Sequence, residues 1–168
     1  MRLLLIVLLG LGGGILFRTV GCEGIYVATP SMEPTLPVDS SYFVDKFTYI
    51  FRDPRRGEIV SLDSPVDSEK GLIKRIIGLP NEKFSIKLKK VYINGALLSE
   101  PYTRFKRKDE ILMGDNIEEI KIPPEAYFVM GDNRDESGDS RDWKDAAGNY
   151  IYFVKKEHIR GKLMNVLE

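Results

Sequence analysis

The chain has 168 residues, 43% hydrophobic and 30% charged, enough for one folded core with a small appendage and too apolar for a disordered protein. Its 25 basic and 25 acidic residues balance, so no basic excess points to nucleic acid. A single cysteine excludes an internal disulfide and a multi-cysteine metal site, and the single histidine, His158, argues against a histidine-based one.

Leu3 to Phe17, LLLIVLLGLGGGILF, is an uncharged run of 15 residues. As a helix it covers only about 22 Å of a hydrocarbon layer of about 30 Å. Arg18 can snorkel and Thr19 to Gly21 add a turn, so a short transmembrane span over residues 1–21 is feasible. A cleaved secretory leader and a lipoprotein leader ending at Cys22 are competing readings. All three place residues 22–168 outside the cytoplasm or at a membrane. The adopted reading is an uncleaved N-terminal membrane anchor followed by one folded domain.

Beyond the anchor the predicted elements are strands, rich in β-branched and aromatic residues and bounded by turn formers: Ser41 to Phe47, Gly57 to Leu62, Leu72 to Ile77, Phe84 to Ile93, Ala126 to Met130 and Ile151 to Val154. Asn94-Gly95 predicts a hairpin turn, because both residues tolerate positive φ. No long stretch keeps a 3.6-residue apolar period. The fold expected is mainly β: an antiparallel core with a small inserted β cap at roughly residues 80–123. Thr103 to Glu110 (TRFKRKDE) and the acidic Asn116 to Lys121 read as a solvated excursion within that insert. The polar loop GDNRDESGDSRDW, from Gly131 to Trp143, follows AYFVM directly and reads either as solvated or as a hydrogen-bonded platform beside a site.

Two positions raise a chemical question. Ser31 lies in ATPSMEPTL, where Pro30 and Pro34 restrict the backbone on either side; it is either a turn serine or a rigidly held nucleophile. Lys74 lies in GLIKRIIG, sharing one strand face with Leu72 and Ile76. Its side chain either snorkels to water or stays among aliphatics, where desolvation disfavours its charged form. A serine nucleophile needs a base. His158, in FVKKEHIRGKL, is a poor candidate, whereas a lysine with a depressed pKa can serve. Arg75 stays protonated and cannot.

Four segments in order resemble the bacterial signal peptidase I family, membrane-bound endopeptidases that use a Ser-Lys dyad. They are Ser31 to Leu36 (SMEPTL), Arg56 to Val60 (RGEIV), Lys74 to Pro80 (KRIIGLP) and Gly131 to Arg141 (GDNRDESGDSR). The resemblance implies removal of signal peptides from exported preproteins through an acyl-enzyme. Ser31 would be the nucleophile and Lys74 the general base. The Ser31 N–H and the Thr29 hydroxyl would be oxyanion donors. Ser137 would orient Lys74, and Asp139 with Arg141 would form a supporting ion pair. The implied partners are signal peptides and membrane lipid, with no nucleic acid, metal or cofactor. The implied location is the bacterial cytoplasmic (inner) membrane, single-pass, with the domain on the extracytoplasmic side. The sequence departs from the family in Asn81-Glu82, in the length of Asp142 to Ile151, and in Thr29, where serine or glycine is more usual. A non-catalytic peptide-binding β module, a self-cleaving DNA-binding repressor and a membrane-linked protease that matures the pilin or relaxase partners of conjugation systems are the alternatives.

Overall fold

The computed structural model describes residues 21–67 and 69–164. The expected membrane anchor falls almost wholly outside them. Among the described residues no helix is long and apolar enough to cross a membrane.

The described chain is built from two antiparallel sheets. The larger contains β1 (Cys22–Tyr26), β2 (Ser41–Asp45), β3 (Ile59–Asp63), β4 (Gly71–Gly78), β9 (Ala126–Met130), β10 (Val154–Lys155) and β11 (Ile159–Leu163). Their spatial order is β1-β2-β11-β3-β4-β9-β10. The smaller contains β5 (Lys83–Lys87), β6 (Lys90–Ile93), β7 (Ala96–Leu97) and β8 (Ile117–Lys121), in the order β7-β6-β5-β8. One short helix, α1 (Thr48–Phe51), follows β2.

Apolar packing joins the sheets. Ile77 of β4 and Phe128 and Met130 of β9 pack with Phe84, Ile86, Val91 and Ile117 of the smaller sheet. The Phe84 and Phe128 rings stack with centroids 3.8 Å apart. A second cluster, Val60, Leu62, Ile76, Tyr127, Val129 and Trp143, lies around β3, β4 and β9. A third, Val27, Met32, Leu36, Val44, Ile59 and Leu163, packs the segment after β1 against β2, β3 and β11.

The strands differ from the expectation in informative places. The predicted strand from Phe84 to Ile93 is two strands, because Leu88 and Lys89 both take positive φ (48° and 68°) and close a two-residue turn. Neither residue favours that conformation. Contacts from a distant segment hold it: Leu88 N–H donates to Asn116 Oδ1 (2.9 Å), Lys89 N–H to the Asp115 carbonyl (3.0 Å), and Lys89 Nζ pairs with Asp115 (2.9 Å) and Asp135 (3.2 Å). The acidic stretch expected to be solvated is β8, an edge strand that turns Ile117 inward and Glu118 and Glu119 to solvent. Ile151 to Phe153 lie outside the ladder, and only Val154–Lys155 pair with β9. Asn94 and Gly95 take positive φ (51° and 82°) in the turn between β6 and β7.

β1 and β11 were not anticipated. In β11 the inward residues are Ile159, Gly161 and Leu163, so charged Arg160 and Lys162 and a glycine mask its alternation. Gly161 is required by close approach: a Cβ there would collide with the Asp45 carbonyl on β2. Gly161→Ala is expected to destabilise the protein by about 1–3 kcal/mol, read as a lowered unfolding temperature.

A candidate serine–lysine active site

Ser31 sits in a single 3-10 turn, Pro30–Met32, between β1 and β2. Proline at the first position suits a turn whose leading N–H needs no partner. Met32 and Leu36 are buried in the third cluster and pin this turn to the core. Lys74 sits on β4 directly opposite Val60 of β3. The two side chains meet: Lys74 Nζ donates to Ser31 Oγ at 3.1 Å.

The lysine does not snorkel. Its relative exposure is 3%, and Leu72, Ile76 and Val60 share its strand face. Burial pushes its pKa down from the ordinary 10.5 to about 8; Asp139 opposes the shift and Arg141 reinforces it. The neutral amine is thereby well populated near physiological pH, and neutral is the form able to accept a proton.

The loop after β9 forms the other wall. Asp139 is fully buried and accepts hydrogen bonds from Gly131 N–H (2.9 Å), Ser137 Oγ (2.8 Å) and, through both oxygens, from Arg141 Nε (2.8 Å) and Nη2 (2.9 Å). Its carboxyl pKa is lowered: burial alone would raise it, but the Arg141 charge and these hydrogen bonds outweigh that. Arg141 Nη2 also donates to the Arg134 carbonyl at 2.7 Å. Ser137 therefore bonds Asp139 and makes no hydrogen bond to Lys74, unlike the expected orienting contact. Thr29 Oγ1 lies 3.2 Å from Ser31 Oγ. His158 is half-exposed, with its Nε2 3.8 Å from Glu157.

Several groups around the dyad were not singled out from the sequence. Arg75, next to Lys74 but on the opposite face of β4, pairs with the buried Asp132 through Nε (2.8 Å) and Nη2 (2.6 Å). Thr35 donates to the same carboxylate, and the Tyr102 ring covers the guanidinium at 4.0 Å. The segment carrying Ser31, the strand carrying Lys74 and the last loop thus share one buried ion pair. Asn133 contacts the Ser31 turn through Pro30 and Ser31 carbonyls. Trp143 packs with Val60 and Ile76 on the lysine's face. The Gly-Asp-Asn tripeptide was the available signal for Asp132 and Asn133, but its partners lie about a hundred residues away in sequence. A cavity of about 1100 Å³ opens on the Arg75 face, lined in part by Thr35, Gly57 and Tyr102, and includes neither Ser31 nor Lys74.

Such an arrangement can generate a serine alkoxide equivalent: a hydroxyl within reach of a buried amine, with a second hydroxyl alongside. Comparison with known proteins gives the family. The profile of the signal peptidase, peptidase S26, family matches residues 1–167. A probable signal peptidase I-2 of a Synechocystis species is 36% identical over 151 residues, covering 86% of this chain and 62% of that protein. A signal peptidase I of Bacillus amyloliquefaciens is 41% identical over 115 residues, covering 66% of this chain and 60% of its own. The chain thus spans about three fifths of the length of these two relatives. The crystal structure of a signal peptidase I from Enterococcus faecalis superimposes with a TM-score of 0.51 at 32% identity, over 67% of this chain and 98% of that one. Sequence and fold together place the chain in the peptidase S26 family, in its signal peptidase I group.

Proposed function

We propose that this chain is a membrane-anchored serine endopeptidase that removes N-terminal signal peptides from exported preproteins. The observation that carries the reading is the 3.1 Å approach of the buried Lys74 Nζ to Ser31 Oγ. Family membership supplies the substrate class.

Neutral Lys74 takes the Ser31 hydroxyl proton as Oγ attacks the scissile carbonyl. The Ser31 N–H and Thr29 hydroxyl stabilise the resulting oxyanion. Collapse breaks the C–N bond, and the lysine ammonium returns its proton to the leaving amine. A water then loses a proton to Lys74 and attacks the Ser31 ester, releasing the signal peptide carboxylate and restoring the hydroxyl. Asp139 and Arg141 hold the loop wall and set the field at the lysine without bond making, and Ser137 helps orient the site through Asp139. Substrate binds as an added strand, with small side chains one and three residues before the cut. Residues 1–21 anchor the domain on the extracytoplasmic side of a bacterial cytoplasmic membrane. No metal or cofactor takes part in these steps.

The test is cleavage of a preprotein bearing an Ala-X-Ala site, in detergent or lipid, with the new N-terminus sequenced. The active form carries neutral Lys74, so kcat/KM is expected to rise about tenfold per pH unit below an inflection near 8 and to level off above it. Absence of cleavage at the Ala-X-Ala junction, or a profile without that acid limb, sinks the reading.

A further inference from the structure

We propose that Asn133 is a positioning residue that aims the Ser31 N–H at the developing oxyanion. The inference rests on Ser31 being the nucleophile. Asn133 is fully buried in the loop after β9. Its Nδ2 donates to the Pro30 carbonyl at 3.0 Å, and its own N–H donates to the Ser31 carbonyl at 3.1 Å. One residue therefore grips both peptide groups that flank the nucleophile.

The geometry of the peptide unit gives this grip its consequence. The Pro30 carbonyl and the Ser31 N–H belong to one planar trans amide and point in opposite directions. Fixing the oxygen fixes the direction of the N–H. That N–H donates to no group among the described residues, so it is free to receive an oxyanion. Donation into the Pro30 carbonyl also polarises the amide and strengthens its N–H as a donor.

The surroundings hold Asn133 rigid and close. Its neighbour Asp132 is locked by Arg75, and its neighbour Arg134 by Glu100 (2.5 Å). Arg104 bridges the same loop through Arg104 N–H to the Asp132 carbonyl (2.8 Å) and Arg134 N–H to the Arg104 carbonyl (2.9 Å). A Cβ at Gly131 would run into the Ser31 carbonyl and the Ser137 hydroxyl, so the loop packs against the nucleophile with no room for a side chain at that position. Asn133 Oδ1 is buried without a hydrogen-bond partner among the described residues. Fold stability alone does not favour an amide there, since its acceptor oxygen goes unused. Its donor half is the part that reaches the nucleophile.

The experiment compares the parent with Asn133→Ala and Asn133→Asp. The aspartate has nearly the same shape but presents an acceptor to the Pro30 carbonyl. Measured quantities are kcat, KM, the pH inflection, and affinities for two peptides: an aldehyde, whose adduct on Ser31 places an oxygen in the hole, and a non-cleavable ground-state analogue. Expected for both variants is a fall in kcat of about 10²–10³-fold, of the size seen when an oxyanion donor is lost. KM, the inflection near 8 and ground-state affinity should stay close to the parent's, while aldehyde affinity falls in step with kcat. If the aspartate variant does not fold, the alanine variant, which adds no buried charge, carries the test. A kcat within twofold of the parent overturns the inference, as does a loss expressed in KM or in a moved inflection. A parent that does not cleave overturns the Ser31 reading, and this inference with it.

Discussion

Lys74→Met is expected to lower cleavage by at least about 10⁴-fold while making the protein more stable. The activity loss follows from removal of the amine that, among the described residues, hydrogen-bonds Ser31 Oγ and that we propose as its base; nucleophile and base act as a unit, and losing either costs at least this much in a well-characterised serine protease. Ser31→Ala should be equally inactive, and the double variant no worse. The stability gain follows from burial. Holding Lys74 at a pKa of about 8 rather than 10.5 corresponds to roughly 3 kcal/mol of penalty on its charged form. The penalty is fully present below pH 8, where lysine is protonated in both the folded and the unfolded chain. It is relieved between about 8 and 10.5, where only the unfolded chain still binds the proton. Methionine keeps much of the packing and removes the ammonium. The variant should therefore unfold at a higher temperature or denaturant concentration than the parent at neutral pH, and its advantage should shrink as pH rises through that window. A variant that is inactive but no more stable at neutral pH would mean that Lys74 bears no such penalty.

Asp139→Asn is expected to destabilise the protein by about 3–5 kcal/mol, because it leaves the Arg141 guanidinium buried without its counter-charge. The carboxylate receives the Gly131 N–H, the Ser137 hydroxyl and two guanidinium hydrogens, and an amide cannot accept all of them. The pH dependence has a definite sign. Asp139 has a lowered pKa in the folded protein, so its contribution is present above the ordinary carboxylate range and is lost as pH falls through the folded value. Parent and variant should converge in acid. A second readout separates this residue from a merely structural one. Burial lowers the Lys74 pKa and Asp139 is the largest influence that raises it, so removing the carboxylate leaves burial, Arg141 and Lys70 opposed by Asp132 alone. The acid limb of kcat/KM should move below 8 in whatever folded fraction remains. Denaturant melts and a pH–rate profile of the same preparation check both statements.

How much of this could be read from the sequence depends on the range of each interaction. The strand around Lys74 was legible because period-2 alternation and flanking glycines are local signals, and its lysine stood out against Leu72 and Ile76. The antiparallel character and the Asn94-Gly95 turn were legible for the same reason. β8 and β11 were hidden because edge and bridging strands need only every second residue to be apolar, and charges at the alternate positions resemble loop. The Leu88-Lys89 turn was hidden because Asp115, Asn116 and Asp135 hold it, not its own residues. The same holds for the site. Ser31 between two prolines was a plausible position from its neighbours alone. The Arg75–Asp132–Thr35 cluster, Asn133 on Pro30 and the engagement of Ser137 by Asp139 depend on where β9 delivers its loop, which no local pattern encodes.

The sheet order has a consequence for biosynthesis. Ser31 lies between β1 and β2, Lys74 lies on β4, and the ladder joining those halves runs through β11, which pairs with β2 on one side and β3 on the other. While the chain is still being made, it can hold serine, lysine and the polar loop in already-translated sequence without the strand that draws them together. A chain truncated before Ile159 should be proteolytically silent, and activity should return only when the residues through Leu163 are restored. The serine and lysine are thus both present in the chain before the strand that ties their halves of the sheet together.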